Sequence, residues 1–320
     1  MRLKIYGTGS ALPAKKVSND LLSEYMDTSD EWIRSRTGIV NRRLAMEETT
    51  SSLAVEAGRK ALEDAKAAPE EVEIVIVATF TPDCSLPSTA CIVQDQLGLT
   101  HAVAFDLNAA CSGFLFALNT VQAYFSAGVY RTALVIGAEN ISKVVDWKDR
   151  GTCVLFGDGA GAALCRAEDG AACNFVQKSD GSGGAVLSLK ERPIAHLFRE
   201  CDEKPGKMYM NGQEVFKFAV RKVPECIHEV LDLAYLKPEE VDWYLLHQAN
   251  KRIISSVAKR LGIPEEKFPT NLEEYGNTSA ASIPILLDEV NRKGMLKEGD
   301  ILVLSGFGAG LTWGACLLEW

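Results

Sequence analysis

Short, nearly unbroken apolar runs punctuate the chain, the clearest being Ile74 to Phe80 and Ala133 to Ile136. Runs of this length without polar alternation suit strands covered on both faces, so they predict sheets flanked by helices. Between them lie helical patterns from Ala54 to Ala65, from Cys111 to about Ala127, and from Val223 to Ala234. Thr28 followed by Glu31 reads as a capped helix start, with Thr28 as the cap. Every apolar run is far shorter than the roughly 20 residues of a membrane helix, so no membrane insertion is expected.

The pattern repeats. Pro69-Glu-Glu-Val-Glu-Ile-Val-Ile-Val leads into one apolar run, and Pro238-Glu-Glu-Val-Asp-Trp-Tyr-Leu-Leu leads into another 169 positions later. Leu134-Val-Ile-Gly matches Leu302-Val-Leu-Ser at an offset of 168. Gly161-Ala-Ala-Leu-Cys matches Gly314-Ala-Cys-Leu-Leu at 153, the first half carrying extra residues around Val144 to Cys153. With the helical patterns Ala54 to Ala65 and Val223 to Ala234, also 169 apart, four matches in one order predict an internal duplication, with halves at residues 1–170 and 171–320. Each half runs helix, strand, helix, strand, Gly-rich turn, strand. Two such sheets, covered on both sides, predict a five-layered α/β/α/β/α sandwich. Residues 171–215, rich in Gly, Asp and Lys, read as a connection with surface loops.

Composition narrows the function. The 320 residues are 47% hydrophobic and 24% charged, which fits a globular fold and excludes disorder. A net charge of −9 argues against general nucleic-acid binding. The nine cysteines are odd in number and none are spaced C-x-x-C, so no zinc ribbon or thioredoxin motif is present, and no metal is expected. Scattered free thiols and a start, Met1-Arg-Leu-Lys-Ile-Tyr-Gly, without a secretory signal point to the cytoplasm.

Among the cysteines, Cys111 alone opens a helical pattern, in Asn108-Ala-Ala-Cys-Ser-Gly-Phe. A helix N-terminus stabilises a thiolate and lowers its pKa, and the small neighbours leave room for a substrate. A buried structural cysteine is the competing reading. His247 ends an apolar strand, where α/β sheets present catalytic groups, although a structural histidine would fit as well. The duplication places the counterpart of the Cys111 helix near Gly276-Asn277, so Cys111, His247 and Asn277 are expected to converge. Such a set suits thioester chemistry.

Gly157-Asp-Gly-Ala-Gly-Ala162 fits G-x-G-x-x-A but precedes a short strand, which argues against a dinucleotide fingerprint. Gly306 to Gly310 reads either as a plain strand connection or as a turn offering N–H groups to an oxyanion. Arg252, Ser256, Lys259 and Arg260 share one helix face, and Lys217 and Arg221 another. These are solvated charges or a dock for a small acidic protein.

Six motifs together resemble the thiolase superfamily, and most closely the β-ketoacyl-acyl carrier protein synthase III family, over essentially the whole chain. They are Ala109-Ala-Cys-Ser-Gly-Phe, Asp149-Arg-Gly-Thr, Phe156-Gly-Asp-Gly-Ala-Gly, His247-Gln-Ala-Asn, Gly276-Asn-Thr-Ser-Ala-Ala and Thr312-Trp-Gly-Ala. The resemblance implies a homodimer that starts type II fatty acid synthesis. Cys111 would take an acyl group from acyl-CoA, with the N–H groups of Cys111 and Ala309 as oxyanion hole. His247 and Asn277 would then stabilise the enolate formed when malonyl-acyl carrier protein loses carbon dioxide. No cofactor would be needed, both thioesters being substrates. Thr28, Trp32, Arg36, Arg150, Gly212 and Asn250 would bind CoA, Trp32 and Arg150 stacking on either side of the adenine. Lys217, Arg252, Lys259 and Arg260 would dock the acidic carrier, and Leu86 would close the acyl pocket of the partner subunit. Alternatives are a secondary-metabolism 3-oxoacyl or quinolone-type synthase and, in another class, a cysteine hydrolase. The hydrolase shares the Cys, His, Asn order but not the flanking signature.

Overall fold

The computed structural model describes residues 1–320 except 172, 192, 200 and 203. The first half contains β1 (Arg2–Ala11), β2 (Lys16–Ser18), α1 (Asn19–Ser23), α2 (Asp30–Thr37), β3 (Asn41–Arg43), α3 (Thr50–Asp64) and β4 (Ile74–Ala78). It continues with α4 (Thr89–Gln96), β5 (Val103–Leu107), α5 (Gly113–Ser126), β6 (Thr132–Glu139), α6 (Arg150–Cys153) and β7 (Gly159–Glu168). The second half begins with β8 (Asn174–Ser179), β9 (Leu187–Ser188), β10 (Tyr209–Met210), α7 (Gly212–Ala234) and β11 (Trp243–Leu246). It ends with α8 (Lys251–Leu261), α9 (Leu272–Tyr275), α10 (Ser282–Arg292), β12 (Ile301–Gly308) and β13 (Thr312–Glu319).

Two mixed sheets form, ordered β1-β7-β6-β4-β5 and β11-β12-β13-β8. Strand β4 lies parallel to β5 and β6, and β11 parallel to β12, while β7 and β13 run antiparallel to their neighbours. The apolar runs are buried on both faces, as their lack of alternation requires. In β6, Leu134 and Ile136 pack toward α3 and α4, while Ala133 and Val135 pack toward α5 and α10. The other side of α5 and α10 meets Leu245, Leu302 and Leu304 of the second sheet. The far face of that sheet, with Tyr244, Leu246 and Val303, is covered by α7 and α8. Helices α5 and α10 are thus held between the two sheets, and their N-terminal ends bring the chemistry to the middle of the molecule.

The structure corrects four sequence expectations. Residues 171–215 are more than a connection, because Asn174–Ser179 forms β8 on the edge of the second sheet and α7 starts at Gly212. An edge strand with few buried side chains leaves no apolar run to read. The offset of 168 for Leu134 and Leu302 slips by one. Gly137 pairs with Gly161 across β6 and β7, and Gly306 pairs with Gly314 across β12 and β13, so Leu134 matches Val303 at 169. A one-residue slip sends a side chain to the other face of the sheet. The cap of α2 is Ser29, whose hydroxyl accepts from the Trp32 N–H; Thr28 sits in the turn before it. Finally, the strand after Gly157 is ten residues long, and Gly159 already belongs to it.

Candidate active site

Cys111 lies in a 3-10 turn, Ala110–Ser112, that runs into α5. The Asn108 side-chain oxygen accepts from the Ala110 N–H at 3.1 Å, and Ala110 takes a left-handed φ of 47°. The Ser112 and Thr312 hydroxyls, 2.6 Å apart, tie this turn to β13. Gly308 must be glycine here, since a Cβ would sit 2.6 Å from the Cys111 nitrogen. Residues 277–282 build the matching entry to α10. Asn277 accepts from the Ser279 N–H at 2.9 Å, and Ser279 has φ of 51°. The counterpart of Asn277 is therefore Asn108, at the 169 offset.

Ser279 reaches across to Cys111, its hydroxyl donating to the sulfur at 3.2 Å. Because the Asn277 oxygen is already bonded, its amide NH2 is the group left to donate into the cavity. His247 follows β11, its N–H bonded to the Ser305 carbonyl, its ring edge-on to Phe307 and its Nδ1 2.8 Å from the Ser282 hydroxyl.

Electrostatics overturn one expectation. The helix N-terminus was expected to hold Cys111 as a thiolate, but burial pushes the thiol up to about 12, against the pull of the Ser279 hydroxyl. Burial also drives the His247 imidazolium down to about 3. The resting pair is a neutral thiol beside a neutral imidazole, since a low-dielectric pocket penalises both charged forms.

Cys111, His247 and Asn277 line one cavity of about 700 Å³, which also takes in Ala309, Trp32, Arg36, Gly212, Asn250 and Arg252. The sequence-predicted Thr28, Arg150, Leu86, Lys217, Lys259 and Arg260 do not line it. The Thr28 hydroxyl oxygen is buried without a hydrogen-bond partner among the described residues. Leu86 is 87% exposed on the loop before α4. Lys217 pairs with Glu214 on α7, whereas Lys259 and Arg260 form no ion pair among the described residues. Arg252, over the Phe216 ring at 5.7 Å, stands at the exposed rim.

Two guanidinium groups approach the Trp32 ring, Arg36 at 4.6 Å and Arg150 at 5.4 Å from its centroid. A flat ring held between Trp32 and Arg150 needs about 7 Å, two carbon contacts of ~3.5 Å. The expected slot is therefore closed, because Arg150 donates to the Asp27 carboxylate at 2.8 Å and to the Asp27 carbonyl. Among the described residues no cluster of three or more His, Cys, Asp or Glu side chains is placed to hold a metal, and no helix is long and apolar enough to cross a membrane.

Sequence reasoning missed Asn108, Ser279 and Ser282. A repeat aligned at 169 would have found Asn108; serines at helix starts are too common to single out the other two.

Residues 105–184 match the family model described as 3-oxoacyl-[acyl-carrier-protein] synthase III, and residues 231–320 match the model of its C-terminal part. A β-ketoacyl-[acyl-carrier-protein] synthase III of Clostridium acetobutylicum is 49% identical, over 99% of this chain and 98% of that one. The crystal structure of 3-oxoacyl-[acyl-carrier-protein] synthase III from Aquifex aeolicus superposes with a TM-score of 0.92 at 46% identity, covering 99% and 100% of the two chains. The priming β-ketosynthase of the R1128 polyketide pathway gives a TM-score of 0.93 at 35% identity, covering 99% and 96%. With near-50% identity and a shared mixed α/β fold over the full length, the chain belongs to the β-ketoacyl-[acyl-carrier-protein] synthase III family.

Proposed function

We propose that this protein starts fatty acid synthesis by joining an acyl-CoA primer to a malonyl-carrier protein, with loss of carbon dioxide. The observation that carries the reading is the meeting of Cys111, His247 and Asn277 in one cavity. In the first stage the Cys111 sulfur attacks the acyl thioester carbon, the S–C bond to CoA breaks, and CoA leaves with the thiol proton. The N–H groups of Cys111 and Ala309 receive the transient oxyanion. In the second stage the malonyl C–C bond to the carboxylate breaks and carbon dioxide departs. The electron pair becomes an enolate, whose oxygen takes hydrogen bonds from His247 and the Asn277 amide. That carbanion forms a C–C bond to the acyl carbon, the S–C bond to Cys111 breaks, and the released sulfur takes a proton from water to restore the thiol. The products are a 3-oxoacyl-carrier protein, carbon dioxide and CoA. Every step runs on charge stabilisation and proton handling.

Trp32, Arg36, Arg150, Gly212 and Asn250 serve the CoA portion, with Thr28 supporting the turn before α2. Lys217, Arg252, Lys259 and Arg260 serve to dock an acidic carrier, a reading supported by Arg252, which lines the cavity. The exposed Leu86 and the outer strand β5, with Val103 48% exposed, support a homodimer in which Leu86 closes the partner's acyl pocket. We read residues 1–170 and 171–320 as two copies of one unit in five layers, supported by the matched glycine pairs and by the left-handed Ala110 and Ser279. A cytoplasmic setting fits these proposed substrates.

Mass spectrometry after incubation with an acyl-CoA is expected to show one acyl mass, absent in Cys111→Ala and discharged only by malonyl-carrier protein. Equal labelling of the alanine variant would sink the assignment, and rapid discharge by water would favour the hydrolase. A panel of straight and branched primers distinguishes fatty acid priming from a specialised pathway.

A further inference from the structure

We propose that Ser282 is a positioning residue that fixes His247 as the tautomer protonated on Nε2, so that the ring presents an N–H to the cavity. The inference rests on the condensation reading above for its catalytic meaning, but its geometry stands alone. The Ser282 oxygen accepts from the Gln248 backbone N–H at 2.7 Å and lies 2.8 Å from His247 Nδ1. Ser282 is 1% exposed, and among the described residues no other acceptor lies within reach of its hydroxyl. A serine carries one proton, and a buried hydroxyl proton without an acceptor is a penalty that native folds avoid. The proton therefore goes to Nδ1, which must be the bare nitrogen. In a neutral ring the proton is then on Nε2.

The two halves supply a second argument. The offset of 169 puts Ala78 and Gly113 at the places of His247 and Ser282. Those places touch as well, since a Cβ built on Gly113 would lie 3.0 Å from the Ala78 Cβ. The fold brings a strand end and a helix start together in both halves, and only the second half turns that contact into a hydrogen bond.

A ring protonated on Nε2 is a donor, not a base, toward the cavity. It is suited to hold the enolate oxygen of the second stage and cannot take the Cys111 proton through that nitrogen. Loss of Ser282 should therefore spare acyl transfer and damage condensation.

The ring nitrogens of His247 in the full-length protein, labelled with 15N-histidine and assigned against His247→Gln, report the tautomer directly. We expect an unprotonated Nδ1 and a protonated Nε2 in the wild type. A protonated Nδ1 there overturns the proposal, whether or not any variant folds. Ser282→Ala is expected to lose the preference and to slow carbon dioxide release from malonyl-carrier protein at least about tenfold. Acyl-cysteine formation should stay within about threefold of wild type, and Ser282→Thr, which keeps the hydroxyl, should restore both the signature and condensation. Equal loss of both stages with an unchanged tautomer also overturns the positioning role. An Nε2–H ring in a protein that does not condense would instead remove the functional reading and leave the tautomer standing.

Discussion

Cys111 is surrounded by groups that act on its sulfur in opposite directions. Burial favours the thiol, and the Ser279 hydroxyl favours the thiolate. Because burial wins, alkylation of Cys111 by iodoacetamide should climb about tenfold per pH unit between pH 7 and 10, without the levelling off expected of an ordinary thiol near 8.5. Ser279→Ala should slow alkylation further at every pH in that range. A plateau below pH 9 in the wild type would show that the helix terminus outweighs burial. Asn277→Asp keeps the acceptor for the Ser279 N–H but replaces the cavity-facing amide with a carboxylate. Condensation should fall by about 10²–10³ while acylation of Cys111 survives, as for loss of one oxyanion donor; steady-state and single-turnover rates would separate the two. The meeting of Cys111, His247 and Asn277 in one cavity was legible in the sequence because each sits in a motif that also marks an element boundary. The hydroxyls of Ser279 and Ser282 were not, since their roles depend on contacts 168 and 35 positions away.

Elements decide what may enter the cavity. The N-terminal turn of α2 carries Trp32, and α6 begins at Arg150, so the Asp27–Arg150 ion pair joins the bend before α2 to α6 beside the Trp32 ring. If a nucleotide is to slide between Trp32 and Arg150, that pair has to open. An exposed pair of this kind is worth up to ~1 kcal/mol. Asp27→Asn is expected to lower KM for an acyl-CoA by up to about fivefold. KM for an acyl-pantetheine without the nucleotide should not change. A common shift for both donors would show that Asp27 acts elsewhere. The motif at Asp149-Arg-Gly-Thr pointed to this region, but no spacing rule revealed that Asp27 would hold the arginine. The strands behaved differently. Those buried on both faces were plain in the sequence, while β8, at a sheet edge, left no continuous apolar signal.

Across the whole molecule, burying ionisable groups ties stability to pH. His247 is held far below the usual histidine range, so between about 6.5 and 3 the unfolded chain binds a proton that the folded one refuses. Stability from this source is full above 6.5 and drains as pH falls, by roughly 1.4 kcal/mol per unit. Glu139, at the end of β6, accepts from the Phe80 and Thr81 N–H groups, yet burial pushes it up to about 8. The folded chain then keeps a proton that the unfolded one loses above about 4.5, so stability drains as pH rises toward 8. Thermal melts should therefore be steeper in acid for the wild type than for His247→Gln, and steeper toward pH 8 than for Glu139→Gln. Parallel pH profiles for wild type and variants would refute the linkage. The repeated motifs predicted a mixed α/β fold with sheets buried on both faces, but a one-residue slip in aligning the repeats hid the correspondence of Asn108 with Asn277.

The neutral state of Cys111 has a consequence for durability. Peroxides oxidise thiolates first to a reversible sulfenic acid and, on further oxidation, to sulfinic and sulfonic acids that are beyond ordinary repair. A nucleophile kept as a buried thiol between turnovers offers oxidants little to attack. The same burial that slows its ionisation is expected to slow its oxidation, so loss of Cys111 to hydrogen peroxide should be slower than that of an exposed thiol, as mass spectrometry would show.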